Sequence, residues 1–311
     1  MNYCQALPFI YLCLFIFIMH RFSLRHKIWQ WTTLIFLSFI WGSSFILMKK
    51  GLVAFNNYQV AALRIFFSFI LLLPLSIRNL RRVTGKTIKP LLIVGFLGIA
   101  IPALLFTTAQ TYIDSSLAGM LNSMTPFFTL LVGLVFYKTK LRIYRIAGVL
   151  IGLIGAAGLI VNDFANFLGS INWYAAIVLM ATLCYGISIN EVKAKLSHLN
   201  GIEITSLAVL FIGPVASVYL LFSDYSLVLQ NSEKWSSLVY IFLLAAFSSV
   251  FALIIFNNMI RFTSAVFAAS VTYIIPVFAI IWGEFDGENI GLRQLSWIAL
   301  ILIGVYLVNK E

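Results

Sequence analysis

From Trp31 to the end, apolar runs of nearly constant length alternate with short polar breaks rich in Lys, Arg, Asn, Asp, Gly and Pro. The runs cover residues 31–48, 58–77, 91–109, 117–137, 143–161, 174–190, 204–222, 238–260, 265–282 and 295–308. A helix needs roughly 20 such residues to cross about 30 Å of hydrocarbon. None of the runs shows the period-2 alternation of a barrel strand, and lipid leaves only helices or closed barrels as spanning structures. The pattern therefore predicts an all-α integral membrane protein with ten transmembrane helices. Most connections are a few residues long, so no domain outside the membrane is expected.

Composition agrees. The 311 residues are 62% hydrophobic and 10% charged, with a mean hydropathy of +1.01. A soluble chain keeps about a quarter of its residues charged, so the solvent of this one is a lipid bilayer. The net charge of +11 does not point to nucleic acid, because the basic residues fall between the apolar runs and not along one polar face. Sorted by side, Arg21, Arg25, Lys27, Arg78, Arg81, Arg82, Lys86, Lys89, Lys138, Lys140, Arg142, Arg145, Lys193, Lys195, Arg261 and Lys310 fall together, 16 of the 21 Lys and Arg. Lys49, Lys50, Lys234 and Arg293 fall opposite, and Arg64 lies inside the second run. The positive-inside rule then places both ends of the ten-helix unit in the cytoplasm.

Residues 1–28 form an N-terminal segment ahead of this unit. The apolar run from Phe9 to Met19 is short, and no positive charge precedes it as in a secretory signal. Two readings stand: an eleventh span starting near Tyr3, or translation from Met19, which is followed by the basic tail HRFSLRHK. Cys4, Cys13 and Cys184 lie in apolar context without paired spacing, which favours inert thiols over a disulfide framework or a zinc site. No cofactor or metal is expected.

The chain repeats itself. WGSSFILMKKGL from Trp41 aligns with YGISINEVKAKL from Tyr185 at an offset of 144. Pro126 and Gly133 align with Pro276 and Gly283 at an offset of 150, and the LIG triplets at Leu153 and Leu302 align at 149. The predicted organisation is two five-helix repeats, residues 29–162 and 172–308. Five is odd, so the second enters the membrane from the opposite side. Inverted repeats underlie alternating access, and interrupted segments at corresponding positions point to the solute site.

Such segments nominate Trp41, Gly42, Ser44, Asn122, Pro126, Tyr185, Gly186, Ser188, Tyr273 and Pro276 as solute-pathway residues. Glycine permits close approach of backbones, serine bonds a ligand or its own helix, and proline releases a carbonyl one turn earlier. The aromatic rings offer packing surfaces. Each residue also has a purely structural reading, since small residues and prolines in membrane helices are common packing and kink devices. Arg64 is nominated because an intramembrane charge marks function by default, with snorkelling to the external interface as its alternative. Gln110, Asn122, Asn257 and Asn258 can line the pathway or bond between helices. Asp114, Glu284, Asp286 and Glu288 belong to short external loops and are expected to be solvated. Gly148, Gly152, Gly155 and Gly158 suggest a close helix contact.

WGSSF in the first helix, ALR in the second, NSMTPFFTLL in the fourth, YGIS in the sixth and YIIPVFAIIWG followed by Gly287-Glu288 resemble the EamA family of the drug/metabolite transporter superfamily. The resemblance covers nearly all of residues 29–308. It implies a ten-helix carrier of the bacterial inner membrane, commonly an exporter of amino acids, other metabolites or toxic compounds. Members often place a Glu after the fourth helix as well as the ninth. Here the first position falls near Thr139, so only Glu288 carries over.

The function expected is a secondary transporter moving a small organic solute, with efflux as its direction. An intramembrane enzyme is the rival from another class, but the sequence has no HExxH motif and no paired mid-membrane carboxylates. A channel-like facilitator is a second rival, though no ring of charges or filter segment is visible. For energy coupling, the nearest carboxylate to the membrane interior is Glu191, with Lys193 and Lys195 beside it. Facilitated diffusion or exchange is favoured, and proton coupling through Glu191 is the alternative. The oligomeric state stays open.

Overall fold

The computed structural model describes residues 26–137, 143–160 and 172–309. Every regular element among them is helical. The long helices are α1 (Lys27–Gly51), α2 (Asn57–Asn79), α3 (Ile88–Gln110), α4 (Ser115–Tyr137), α5 (Ile143–Ile160), α6 (Trp173–Lys195), α7 (Gly201–Leu221), α8 (Lys234–Phe262), α9 (Ala265–Phe285) and α10 (Leu292–Asn309). A short helix, Ser226–Gln230, lies between α7 and α8. Among the described residues eight of the long helices are long and apolar enough to cross a membrane, while the apolar stretches of α5 and α10 are shorter, Leu150–Leu159 and Leu292–Gly304. The chain is a multi-pass membrane protein. Phe39, Val135 and Phe136 stand on its outside, as a hydrocarbon solvent demands.

Several local devices occur twice. Asn56 caps α2 and Asn200 caps α7, each closing a reciprocal capping box, with Gln59 and Glu203 respectively. A π-helical segment interrupts α3 at Phe96–Ala100 and α8 at Leu244–Phe251. Helix α4 breaks between Ser115–Asn122 and Thr125–Tyr137, and α9 passes through a 3-10 turn, Ser270–Tyr273, before Ile275–Phe285. Pro126 and Pro276 sit at the start of the resumed segments, where the missing N–H would have had no helical partner. The Asn122 carbonyl, one turn before Pro126, accepts from the Thr125 hydroxyl at 2.8 Å.

Packing partners pair off at a spacing of five helices. α2 packs on α7 and α5 on α10; α1 packs on α9 as α6 packs on α4, and α1 on α8 as α6 on α3. Two buried apolar clusters result. One gathers Leu34, Leu72, Leu91, Leu196, Ile204 and Met259, the other Phe45, Met48, Phe106, Met120 and Ile241. Trp41 and Tyr185 touch both, so they stand at the seam between them.

The two ends of the bundle are tied separately. At one, Arg82 Nε donates to Glu203 Oε1 at 2.9 Å, the Tyr137 hydroxyl donates to Glu191, and Lys193 Nζ donates to the Ile260 carbonyl at 3.1 Å. At the other, Gln59 donates to the Asp224 carbonyl at 2.8 Å and Asn231 to the Val53 carbonyl at 3.0 Å. The run Phe9–Met19, Cys4, Cys13, His20, Arg21, Arg25, Lys138, Thr139, Lys140, Arg142 and Lys310 lie outside the described residues.

Candidate functional site

A cavity of about 90 Å³ lies in the bundle. Trp41 and Ser44 of α1, Arg64 of α2, Gly98 of α3, Asn122 of α4, Tyr185 and Ser188 of α6, Thr205 of α7, Ser248 and Asn257 of α8 and Thr272 of α9 line it. Among the described residues none of the lining comes from α5 or α10. The volume exceeds the roughly 10–15 Å³ needed to hold one water, and the walls join apolar surface to a few polar groups, as small-molecule sites do.

The breaks in the helices position these groups. Trp41 Nε1 donates at 3.2 Å to the carbonyl of Ser248, inside the π-helical segment of α8, and its ring meets Phe256 edge-on at 5.0 Å. The Tyr185 ring stacks on Phe106 at 6.0 Å. Gly98, in the π-helical segment of α3, has the Ser188 hydroxyl where a Cβ would be. The Ser44 hydroxyl turns back to the Trp41 carbonyl at 2.6 Å, and Asn257 Nδ2 donates to Thr205 Oγ1 at 3.0 Å. The Ser248 hydroxyl is buried and unpaired among the described residues.

Arg64 is only 9% exposed. Its Nε donates to Ser249 Oγ at 2.5 Å, in the middle of α8. The guanidinium therefore turns into the bundle and lines the cavity, not the external surface that snorkelling would require.

Six residues nominated from the sequence meet around this space: Trp41, Ser44, Arg64, Asn122, Tyr185 and Ser188. Gly42, Gly186, Pro126, Pro276 and Tyr273 lie outside the lining. A Cβ on Gly42 would stand 2.5 Å from Phe278 Cβ, and one on Gly186 would stand 2.8 Å from the Phe128 carbonyl carbon. Each glycine thus lets its helix cross closely over the segment resumed after Pro276 or Pro126. Asn190 reinforces the second crossing by donating to the Thr129 and Gly186 carbonyls, both at 2.8 Å. Tyr273 packs into the second apolar cluster. Of the amides left open, Asn257 lines the cavity, Asn258 accepts from the Gly201 N–H at 2.7 Å, and Gln110 is buried away from the lining. Glu191 is also outside, with Lys195 Nζ 2.8 Å away. Thr125, Thr205, Ser248 and Thr272 were not foreseen. Their one signal is a hydroxyl inside a long apolar run, which many packing serines and threonines share.

The loop carboxylates need a correction. Glu284 and Asp114 are exposed, but Glu288 is only 8% exposed. Its Oε1 accepts from Lys49 Nζ at 2.8 Å, from the Ser115 N–H at 2.9 Å and from the Ser115 hydroxyl at 2.6 Å, and its Oε2 accepts from the Ser116 N–H at 3.0 Å. The carboxylate sits at the start of α4, where free N–H groups and the helix dipole favour negative charge. Burial alone would raise its pKa, but the bonds from Lys49, Ser115 and Ser116 outweigh it and bring the value down to about 2. Asp286 also shifts downward against burial, held by Lys50 and Lys49.

Comparison with known proteins adds the family. The model of the EamA-like transporter family matches residues 28–161 and again 172–310. An uncharacterized transporter of Archaeoglobus fulgidus is 23% identical over 91% of this chain and 99% of its own length. The uncharacterized inner membrane transporter YedA of Escherichia coli is 27% identical over 87% of each chain. The protein PagO of Salmonella typhimurium is 22% identical over 87% of this chain and 89% of its own. A solved crystal structure shares the fold with a TM-score of 0.60, at 14% identity, over 89% of this chain and 95% of its own.

Proposed function

Since the chain belongs to the EamA-like transporter family, we propose that it is a secondary transporter of a small organic solute, working by alternating access between two inverted five-helix repeats that cross the bilayer ten times. The observation that carries this reading is the cavity at the seam of the two apolar clusters, built from corresponding residues of both halves, Ser44 with Ser188 and Trp41 with Tyr185. Packing partners that recur at a spacing of five helices support it, because two halves exchanging roles give two conformations of similar energy.

The membrane is the bacterial inner membrane, with both ends of the ten-helix unit in the cytoplasm. Lys27, Arg78, Arg81, Arg82, Lys86, Lys89, Lys193, Lys195 and Arg261 crowd the bundle end that would face inward. At the opposite end Lys49 and Lys50 are paired with Asp286 and Glu288. Efflux as the direction rests on the family resemblance. The test is transport by vesicles against a metabolite panel, with Ser44→Leu and Ser188→Leu in parallel. Both variants should insert and accumulate yet lose transport of whatever the parent moves. Normal transport by both would place the solute site elsewhere.

A further inference from the structure

Among the described residues Arg64 has no anionic partner. Its guanidinium stays protonated at any physiological pH, and a buried charge left without a counter-charge is among the most costly arrangements in a protein. Its one side-chain hydrogen bond among the described residues goes to the neutral Ser249 hydroxyl. No Asp or Glu lines the cavity, and none pairs with Arg64 among the described residues. The remaining polar lining consists of hydroxyls, amides and an indole, all uncharged. Most of the wall is apolar, including Phe45, Ile99, Phe106, Ile189 and Phe256.

Building on the cavity as the solute site, we infer that its solute is a small organic monocarboxylate whose carboxylate pairs with Arg64 and whose apolar body packs on the aromatic wall. The planar guanidinium matches a carboxylate, and a charge-assisted pair is stronger than a neutral hydrogen bond. One cation in the lining calls for one negative charge. An inorganic anion would satisfy Arg64 but leave the apolar wall uncovered. A zwitterionic amino acid would bring an ammonium into a space that offers it no carboxylate and already holds one positive charge. The site therefore selects the des-amino acid over the amino acid of the same shape.

The test measures binding to the purified full chain by calorimetry, so it needs no transport. Two matched series are titrated: 4-methylpentanoate, 4-methylpentanamide and leucine, then 3-phenylpropanoate, 3-phenylpropanamide and phenylalanine. In at least one series the acid should bind roughly 10- to 100-fold tighter than both its amide and its amino acid. Arg64→Gln should reduce the acid to the level of the amide. In both series an amide or amino acid that binds as tightly as the acid, or failure of both acids to bind, overturns the inference. The ligand comparison on the unmodified protein stands even if Arg64→Gln does not fold. A preference for the acid without vesicle transport would defeat the transporter reading alone.

Discussion

Lys49 and Glu288 are 239 residues apart in sequence, yet Nζ and Oε1 lie 2.8 Å apart and join the end of α1 to the loop after α9. Ser115 and Ser116 add the start of α4 to the same carboxylate, so three elements meet at one charge. On the alternating-access reading, opening this end of the bundle breaks that junction.

Glu288→Gln should lower stability by roughly 1–3 kcal/mol near neutral pH, because it removes charge-assisted bonds from a buried site. The pH dependence has a definite sign. The folded pKa, about 2, lies below the ordinary value of 4.5, so the contribution is complete above about 4.5 and is lost as pH falls toward 2. Thermal unfolding of both proteins across this range should show their difference shrinking with acid. A difference unchanged down to pH 2 would contradict the assignment.

Gly186→Ala should destabilise by roughly 1–3 kcal/mol, since its Cβ would stand 2.8 Å from the Phe128 carbonyl carbon and 2.9 Å from the Thr129 nitrogen, and backbone cannot rotate away. Gly85→Ala is the control, with nothing within 4 Å of the added methyl. Equal unfolding temperatures for the two variants would refute the close crossing of α6 over α4.

Gly98 and Ser188 should be coupled. Alanine at 98 meets the Ser188 hydroxyl oxygen first, and the next atom, Ser188 Cβ, is 3.2 Å away. Ser188→Ala placed on Gly98→Ala should recover part of the lost stability, with a coupling of about 0.5–3 kcal/mol in a double-mutant cycle. Simple additivity would mean that α3 and α6 do not touch there.

Topology follows from the charge sorting. Thr84, in the basic loop after α2, and Ser232, before α8, are both exposed. In a background without other cysteines, Ser232→Cys should react with an impermeant thiol reagent added to intact cells and Thr84→Cys should not. The opposite labelling pattern reverses the orientation.

Energy coupling through Glu191 is testable directly. Its carboxylate is held by Lys195 and the Tyr137 hydroxyl at one end of the bundle, outside the cavity lining. Reconstituted protein given a pH gradient and no solute gradient should not accumulate solute, and Glu191→Gln should keep its exchange activity. Gradient-driven uptake that disappears in Glu191→Gln would make it the coupling group.

The membrane character, the helices and the doubled pattern of Gly, Ser and Pro were legible along the chain because each is a one-dimensional constraint. Hydrocarbon demands long apolar runs with internally bonded backbone, and a repeat keeps its spacing wherever it folds. Which side of each helix faces inward was not legible. In lipid both the buried and the outer faces are apolar, so the contrast that orients a helix in water is missing. Tertiary packing decided that Trp41 and Ser44 reach the cavity while Gly42, about 100° around the helix from Trp41, presses on Phe278. It also decided that Glu288, a loop carboxylate expected in solvent, is buried. Its partners Lys49, Ser115 and Ser116 come from 239, 173 and 172 residues away, and only the folded chain brings their charges and N–H groups to one point.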